Sequence, residues 1–166
     1  NPSHSAWIIY TTDSDITYGF QSYLPSVKNC KHVVGVSSSK AVVAYSDYSD
    51  GDATTGLKVM ILSVSGDDVT ENDAALLENA NIGGKAHIVD YGNGVDFGLI
   101  YEDNGAVSFR TFKASGNNIT GNNDKITVVA SGFTLANYAQ YFTEGKILVP
   151  LLGAANDGYY CILEVE

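Results

Sequence analysis

Hydrophobic positions along this chain occur in short blocks or at every second residue. Segments 41–45 (AVVAY) and 146–152 (KILVPLL) are apolar almost throughout, as in strands that are buried on both faces. Segment 57–64 (LKVMILSV) is interpreted as alternating, with Lys58 and Met60 on a wetter face. The pattern therefore predicts a protein made of short strands.

A helical period is lacking in every segment longer than ten residues. The single short stretch that could be helical is 74–79 (AALLEN). Tyrosine, glycine and β-branched residues are frequent, and only three prolines are present, which favours strands joined by tight turns. The chain is therefore predicted to be all-β.

The strand pattern repeats along the chain. A glycine opens the second strand of each predicted hairpin, at Gly19, Gly56, Gly105 and Gly158. The spacings of 37, 49 and 53 residues resemble the ~40–50 residues of a four-stranded propeller blade. The predicted copies are 5–30, 31–82, 83–132 and 133–166.

Each full copy predicts four strands, of which the fourth is irregular and follows a Ser-Gly turn. The predicted first strands are 32–37, 87–91 and 137–142, and the second strands are 41–45, 95–101 and 146–152. The predicted third strands are 57–64, 106–114 and 159–165. The fourth are 68–70 continuing into 74–77, and 118–120 continuing into 125–130.

The first and last copies are incomplete. The first copy offers only strands 7–10 and 20–27, and the last copy ends after its third strand. The predicted fold is a single β-propeller-like repeat domain of about four blade-like copies. Either the ends close a ring, or the chain is part of a larger propeller, and we favour the second arrangement.

Charge and hydropathy exclude several classes of function. The formal net charge is −10, and the nine Lys and Arg residues are scattered, which argues against a nucleic-acid partner. No apolar run reaches the ~18 residues of a membrane span, so no membrane insertion is predicted. With 45% hydrophobic and 17% charged residues, the chain is not of the disordered class.

Acidic and aromatic residues gather at the turns between second and third strands, which a ring would place at one end. Tyrosine rings beside carboxylates suit a sugar, whose ring stacks on the aromatic face. The predicted ligand-binding residues are Tyr48, Asp50, Asp52, Tyr18, Asp103 and Tyr159. The alternative is that the acids form β-turns and the tyrosines pack blades. Since 47–52 lacks the spacing of a calcium loop, neither metal nor cofactor is predicted.

Catalytic motifs are not found. Nineteen acidic residues always offer some pair of carboxylates, so their availability is no evidence of glycosidase chemistry. His32 and His87 open the first strands of two copies, which favours a structural role. The chain is therefore predicted not to be an enzyme.

Cys30 and Cys161 lie 131 positions apart without the spacing of a metal site. In a closed ring their copies are neighbours, so a disulfide could staple the closure. The alternative, which we favour, is a pair of buried free thiols.

The strongest motif is a strand ending in Tyr-x-Asp, a turn with glycine, a strand, and Ser-Gly-x-x-Val/Ile-Thr. It occurs at 45–47, Gly56 and 65–70, and again at 101–103, Gly105 and 115–120. It resembles the degenerate repeats of phage tail and adsorption proteins and of some bacterial surface proteins. The resemblance covers two copies well and the outer copies weakly.

The resemblance implies propeller blades in a virion structural or host-recognition protein. We therefore expect a non-enzymatic tail- or fibre-type module, on a virion or cell surface, that contacts other structural subunits and a receptor glycan. A secreted polysaccharide-acting enzyme and an inert scaffold are the alternatives. The extra residues within 48–55 are where we expect a ligand.

Overall fold

The computed structural model describes residues 4–11, 16–24, 29–46, 56–66, 68–78, 84–120, 124–143 and 145–165. For residues 4–11, 16–23 and 76–78 it describes the backbone only. These residues form sixteen strands in antiparallel sheets, and no helix occurs among them. Within the same ranges, no helix has the length and apolarity to cross a membrane.

The first two sheets follow one another along the chain. The first sheet is a hairpin of β1 (His4–Thr11) and β2 (Ile16–Leu24). The second sheet has the order β3-β4-β5-β6, with β7 also paired to β5. Its strands are β3 (Cys30–Ser37), β4 (Lys40–Ser46), β5 (Leu57–Ser65), β6 (Asp68–Glu71) and β7 (Ala75–Glu78).

The third sheet repeats the plan of the second. Its order is β8-β9-β10-β11, with β12 paired to β10. Its strands are β8 (Ala86–Asp90), β9 (Asp96–Asp103), β10 (Ala106–Ser115), β11 (Asn118–Thr120) and β12 (Ile126–Val129).

The fourth sheet is centred on β15, which pairs with β13 and β14 along one side and with β16 along the other. Its strands are β13 (Phe133–Leu135), β14 (Gln140–Thr143), β15 (Lys146–Gly153) and β16 (Gly158–Glu164). The first strand of this copy is therefore interrupted, because 136–139 leave the sheet between β13 and β14.

Most predicted strands of the second and third sheets are confirmed to within two residues. The fourth strand of each is split, as predicted, into β6 with β7 and β11 with β12. The possible helix at 74–79 is wrong, because Ala75–Glu78 form the strand β7, which pairs with β5. In the first sheet, β2 begins at Ile16 rather than at 20.

The sheets stack face to face in chain order, with an apolar cluster at each interface. Leu24 of the first sheet packs on Val43, Tyr45, Met60 and Leu62 of the second. A larger cluster between the second and third sheets contains Val42, Ala44, Leu57, Val59, Ile61, Ala86, Ile88, Phe97, Leu99, Tyr101 and Phe112. The cluster between the third and fourth contains Val89, Ile100, Val107, Phe109, Leu135, Ala139, Ile147, Val149 and Leu151.

The third strand of the second sheet is less exposed than its sequence suggested. Met60 was predicted on a wetter face, yet it is buried. It is buried because the first sheet covers that face and Leu24 packs against it. A hairpin of two strands therefore suffices to close this side of the array.

Equivalent side chains of the second and third sheets point the same way along the stack. Tyr45 and Tyr101, which begin the two Tyr-x-Asp motifs, both face the preceding sheet. Val59 and Phe109 both face the following sheet. The sheets are therefore repeats in space as well as in sequence.

The glycine that opens the third strand is a poor marker of this equivalence. Val59 and Phe109 are 50 positions apart, as are Ser65 and Ser115 of the Ser-Gly turns, whereas the two opening glycines are 49 apart. Aligning the glycines would place equivalent side chains on opposite faces, because a shift of one residue reverses the face in a strand. The Ser-Gly turn keeps the register.

Among the described residues, no closed barrel or ring of sheets is detected. All-β character and antiparallel pairing are thus established for these ranges.

Candidate functional site

Of the six predicted ligand-binding residues, the structure describes the side chains of Asp103 and Tyr159. Tyr48, Asp50 and Asp52 lie outside the described residues, as does most of the loop 48–55. Tyr18 lies in β2 opposite Ile9, where only the backbone is described. Nothing in the structure therefore tests a ligand site on that loop.

Asp103 and Tyr159 are described, and both make internal contacts. The Asp103 side chain is buried and binds Lys125 Nζ at 2.8 Å, and it also accepts a hydrogen bond from the side chain of Asn104 at 2.9 Å. The Tyr159 ring is half exposed and meets Phe133 edge to face at 5.2 Å. Asp103 thus has an evident structural role, while Tyr159 leaves part of its ring open to solvent.

A different constellation lies where the second, third and fourth sheets meet. A cavity of about 500 Å³ is lined there by Cys30, Lys31, Gly84, Lys85, Ala86, His87, Ala136, Asn137 and Tyr138. The first strands β3 and β8 supply one part of the wall, and the segment between β13 and β14 supplies the other. We call this cavity the His-Tyr pocket.

Three aromatic rings pack together at this pocket, and two of them, His87 and Tyr138, line it. Tyr138 stacks on His32 with ring centroids 4.9 Å apart and an interplanar angle of 25°, and it lies 4.7 Å from the ring of His87. The two histidine rings are 5.8 Å apart in an edge-on arrangement. Tyr138 remains 57% exposed, so part of its ring is free for a ligand.

Hydrogen bonding fixes the ring of His32. Its Nδ1 accepts a hydrogen bond of 2.9 Å from the backbone N–H of Ile88, which ties the second sheet to the third. A nitrogen that accepts this bond carries no proton, so the neutral form of His32 donates from Nε2. Burial lowers the pKa of His32, which favours the same neutral form.

His87 is buried, and its Nδ1 has no hydrogen-bond partner among the described residues. Burial, and then the positive charges of His32 when protonated and of Lys85, lower the pKa of His87 to about 4. His87 is therefore neutral at pH 7. Buried polar atoms without a partner are uncommon in proteins, and the others among the described residues are Ser46 Oγ and the Tyr91 hydroxyl.

A carboxylate beside the pocket connects the third and fourth sheets. Glu102 accepts hydrogen bonds from the backbone N–H of Leu135 at 2.8 Å and of Lys85 at 3.1 Å. Lys85 Nζ in turn donates to the carbonyl of Leu135 at 2.6 Å. This Glu102–Lys85 clasp holds the start of the 136–139 segment, and hence Tyr138, against the third sheet.

Close packing at Gly84 permits this clasp. A Cβ at Gly84 would overlap Oε2 of Glu102 and would lie 2.6 Å from its Cβ. Any larger residue must therefore displace Glu102.

A second cavity, of about 530 Å³, lies elsewhere between the third and fourth sheets. It contains the hydroxyl of Tyr91, whose pKa is raised to about 12 by burial and by nearby Asp96. Its cations are occupied, because Lys113 pairs with Asp96 at 3.1 Å and Arg110 Nε donates to the Tyr101 hydroxyl at 3.3 Å. The His-Tyr pocket, with an exposed aromatic ring, is the better candidate site.

The two cysteines and the possible metal ligands can be located among the described residues. Cys30 and Cys161 are free thiols, and burial raises the pKa of each. The structure thus agrees with the favoured alternative that the two thiols are free, but both are half-buried rather than buried. Among the residues described, no group of three His, Cys, Asp or Glu side chains could hold a metal ion.

Replacing His87 by glutamine is expected to flatten the dependence of stability on acid pH. The folded-state pKa of about 4 lies below the ordinary value of 6.5, so the unfolded chain takes up the proton first. The part of the free energy of unfolding that depends on neutral His87 is fully present above about pH 6.5, and it is lost as the pH falls towards 4. The native chain should lose about 2 kcal/mol more than the variant between pH 7 and pH 5.

Urea unfolding at a series of pH values measures this difference. His4→Gln changes a histidine of the first sheet that is not among the pocket-lining residues, and it serves as the control. Identical pH profiles for the native chain and His87→Gln would show that His87 is not held neutral by the fold.

Sequence reasoning missed Tyr138 and gave the two histidines a structural role only. Their equivalent positions in two copies did indicate that they lie close together, because equivalent residues of stacked sheets are neighbours. Tyr138 gave no such signal, because 137–142 was predicted as the first strand of the last copy, whereas 136–139 leave the sheet.

The lining residues come from three sheets, and comparisons with known proteins add no further constraint on them. No protein-family model matches the sequence, and a search of curated proteins found no match.

Proposed function

We propose that this chain is a non-enzymatic recognition module that binds an acidic glycan in the His-Tyr pocket. The supporting observation is the half-exposed Tyr138 ring, which stacks on His32 and packs at a tilt against His87 at the edge of a cavity of about 500 Å³. A flat aromatic surface of this kind can pack against the apolar face of a sugar ring, and the polar tip of the tyrosine stays in water.

The charges around the pocket favour an acidic sugar over a neutral one. Lys31 and Lys85 line it, and the nearby carboxylate of Glu102 is occupied by two backbone N–H groups. Burial lowers the pKa of Lys31, and the charge of Glu102 opposes that shift. A carboxylate on the ligand would meet Lys31, and Lys85, whose Nζ is held by the Leu135 carbonyl, adds a second positive charge to the pocket.

The same proposal includes the architecture and the setting. The stacked sheets serve as blade-like copies of a propeller-type array. This is supported by Val59 and Phe109, each of which faces the sheet that follows its own. The setting is a virion or cell surface, in contact with other structural subunits, as the repeat motif suggested. Scaffold function without any ligand is the competing outcome of the experiment below.

Tyr138→Ala is expected to weaken glycan binding at least about tenfold, the loss of one stacked aromatic contact. The probe is an array of acidic and neutral glycans, followed by titration calorimetry with the acidic sugar that binds best. Lys31→Gln should reduce the preference for acidic over neutral sugars.

Tyr159→Ala distinguishes this pocket from the turns at the end of the array. Under the present proposal, the glycan affinity of Tyr159→Ala equals that of the native chain. If the glycan site lay on those turns, this substitution would lower the affinity. Failure to bind any glycan on the array would leave the scaffold function as the correct one.

A further inference from the structure

One face of the fourth sheet is apolar and uncovered. Leu148 lies opposite Ile162, and Pro150 lies opposite Tyr160, in the pairing of β15 with β16. Three of these side chains are strongly exposed: Leu148 at 36%, Ile162 at 48% and Tyr160 at 72%. We call these four residues the outer face.

The sequence of β15 does not match this exposure. Ile147, Val149 and Leu151 face the third sheet and are buried, so the alternate residues Leu148 and Pro150 face away. Both sets are apolar, which is the pattern of a strand covered on two sides. In the third sheet, β9 has this pattern and is buried on both faces.

The repeat shows what covers such a face elsewhere in the molecule. The pair Ala44–Val59 of the second sheet and the pair Ile100–Phe109 of the third face the following sheet. All four side chains are at most 2% exposed. On the corresponding face of the fourth sheet the pairs are Leu148–Ile162 and Pro150–Tyr160, of which Leu148, Ile162 and Tyr160 are exposed. The outer face therefore continues a series of sheet-on-sheet interfaces.

We propose that the outer face is an interface between two copies of this chain, with fourth sheet packed on fourth sheet. The occupant indicated by the repeat is another sheet of the same kind. Among the sheets whose side chains are described, only the fourth leaves an apolar face uncovered. A second copy therefore meets it with the same face, as in a two-fold symmetric dimer.

Charge at the outer face is compatible with this pairing. Lys146 and Glu164 lie opposite each other at one end of the β15–β16 pair and form an ion pair at 3.3 Å. Their charges cancel, so the face itself carries no net repulsion although the whole chain is acidic. Two antiparallel sheets pack face to face at about 10 Å, with their side chains interdigitated.

Sedimentation of the full chain between about 1 and 200 µM tests the proposal, since self-association depends on concentration. The native chain is expected to convert from monomer to dimer within this range. Ile162→Lys should raise the dimer dissociation constant at least about tenfold, because a charge would be buried at the interface. Ile126→Lys, at another exposed isoleucine on the third sheet, should leave that constant unchanged.

Tyr160→Gln provides a second variant, because its 72% exposed side chain can be replaced without disturbing the core. It should also weaken the dimer, with an unchanged urea-unfolding midpoint for the monomer. A chain that stays monomeric throughout the range would overturn the proposal. A dimer that survives both Ile162→Lys and Tyr160→Gln would place the contact on another surface and overturn it equally.

Discussion

Replacing Phe112 by alanine is expected to lower the free energy of unfolding by about 3–5 kcal/mol. Phe112 is 1% exposed and stacks on Phe97, with ring centroids 5.4 Å apart and an interplanar angle of 16°. Both rings belong to the cluster between the second and third sheets. Strands on both sides of the vacated space are held by ladder hydrogen bonds, so they cannot collapse fully into it.

Urea unfolding measures this loss, and Phe142→Ala is the matched control. The Phe142 side chain is 52% exposed, so its removal should change stability by no more than about 0.5 kcal/mol. A loss below about 1 kcal/mol for Phe112→Ala would mean that the second and third sheets do not share a core. The third sheet should also show faster amide exchange in Phe112→Ala, since packing on its neighbour protects it.

Glu102→Ala is expected to cost about 2–3 kcal/mol and to loosen Tyr138. The substitution removes the acceptor of two backbone N–H groups, those of Lys85 and Leu135, and Leu135 is fully buried. Hydrogen bonds to a charged acceptor contribute more than neutral ones, and a buried donor left unpaired adds its desolvation cost. Faster amide exchange at Leu135, together with a lower urea midpoint, is the expected readout.

Two further substitutions separate the clasp from a general loss of packing. Glu102→Gln keeps one acceptor oxygen and should retain part of the stability. Gly84→Ala should reproduce the effect of Glu102→Ala, because the added Cβ displaces the Glu102 side chain. If Gly84→Ala were neutral, the close approach of Glu102 would not be needed for the clasp.

Local pattern was enough to locate nearly every described strand of the second and third sheets. The apolar block 41–45 lies within β4, and the turn at Ser115-Gly116 joins β10 to β11 with Gly116 at φ 61°. Such features depend on neighbours in the sequence, which a single chain displays. The stretch 74–79 shows the limit, because its short apolar run fits either a helix or a strand until β5 pairs with it.

Contacts between sheets could not be predicted in the same way. Burial of Met60 depends on Leu24 of another sheet, and the His-Tyr pocket joins side chains from positions 32, 87 and 138. The opening glycines of the second and third sheets are 49 positions apart, whereas their Ser-Gly turns are 50 apart. This difference of one residue decides which face each side chain is assigned to, and only the strand pairing shows which spacing is correct. Sequence therefore located the strands better than the surfaces between them.

Each sheet is built from one continuous stretch of the chain, and this order has a consequence for synthesis. Each sheet needs no later part of the chain for its own hydrogen bonds, so it can form soon after it leaves the ribosome. Every new sheet then meets an apolar surface that has already been assembled by the one before it. We expect the array to fold in the direction of translation, one sheet at a time.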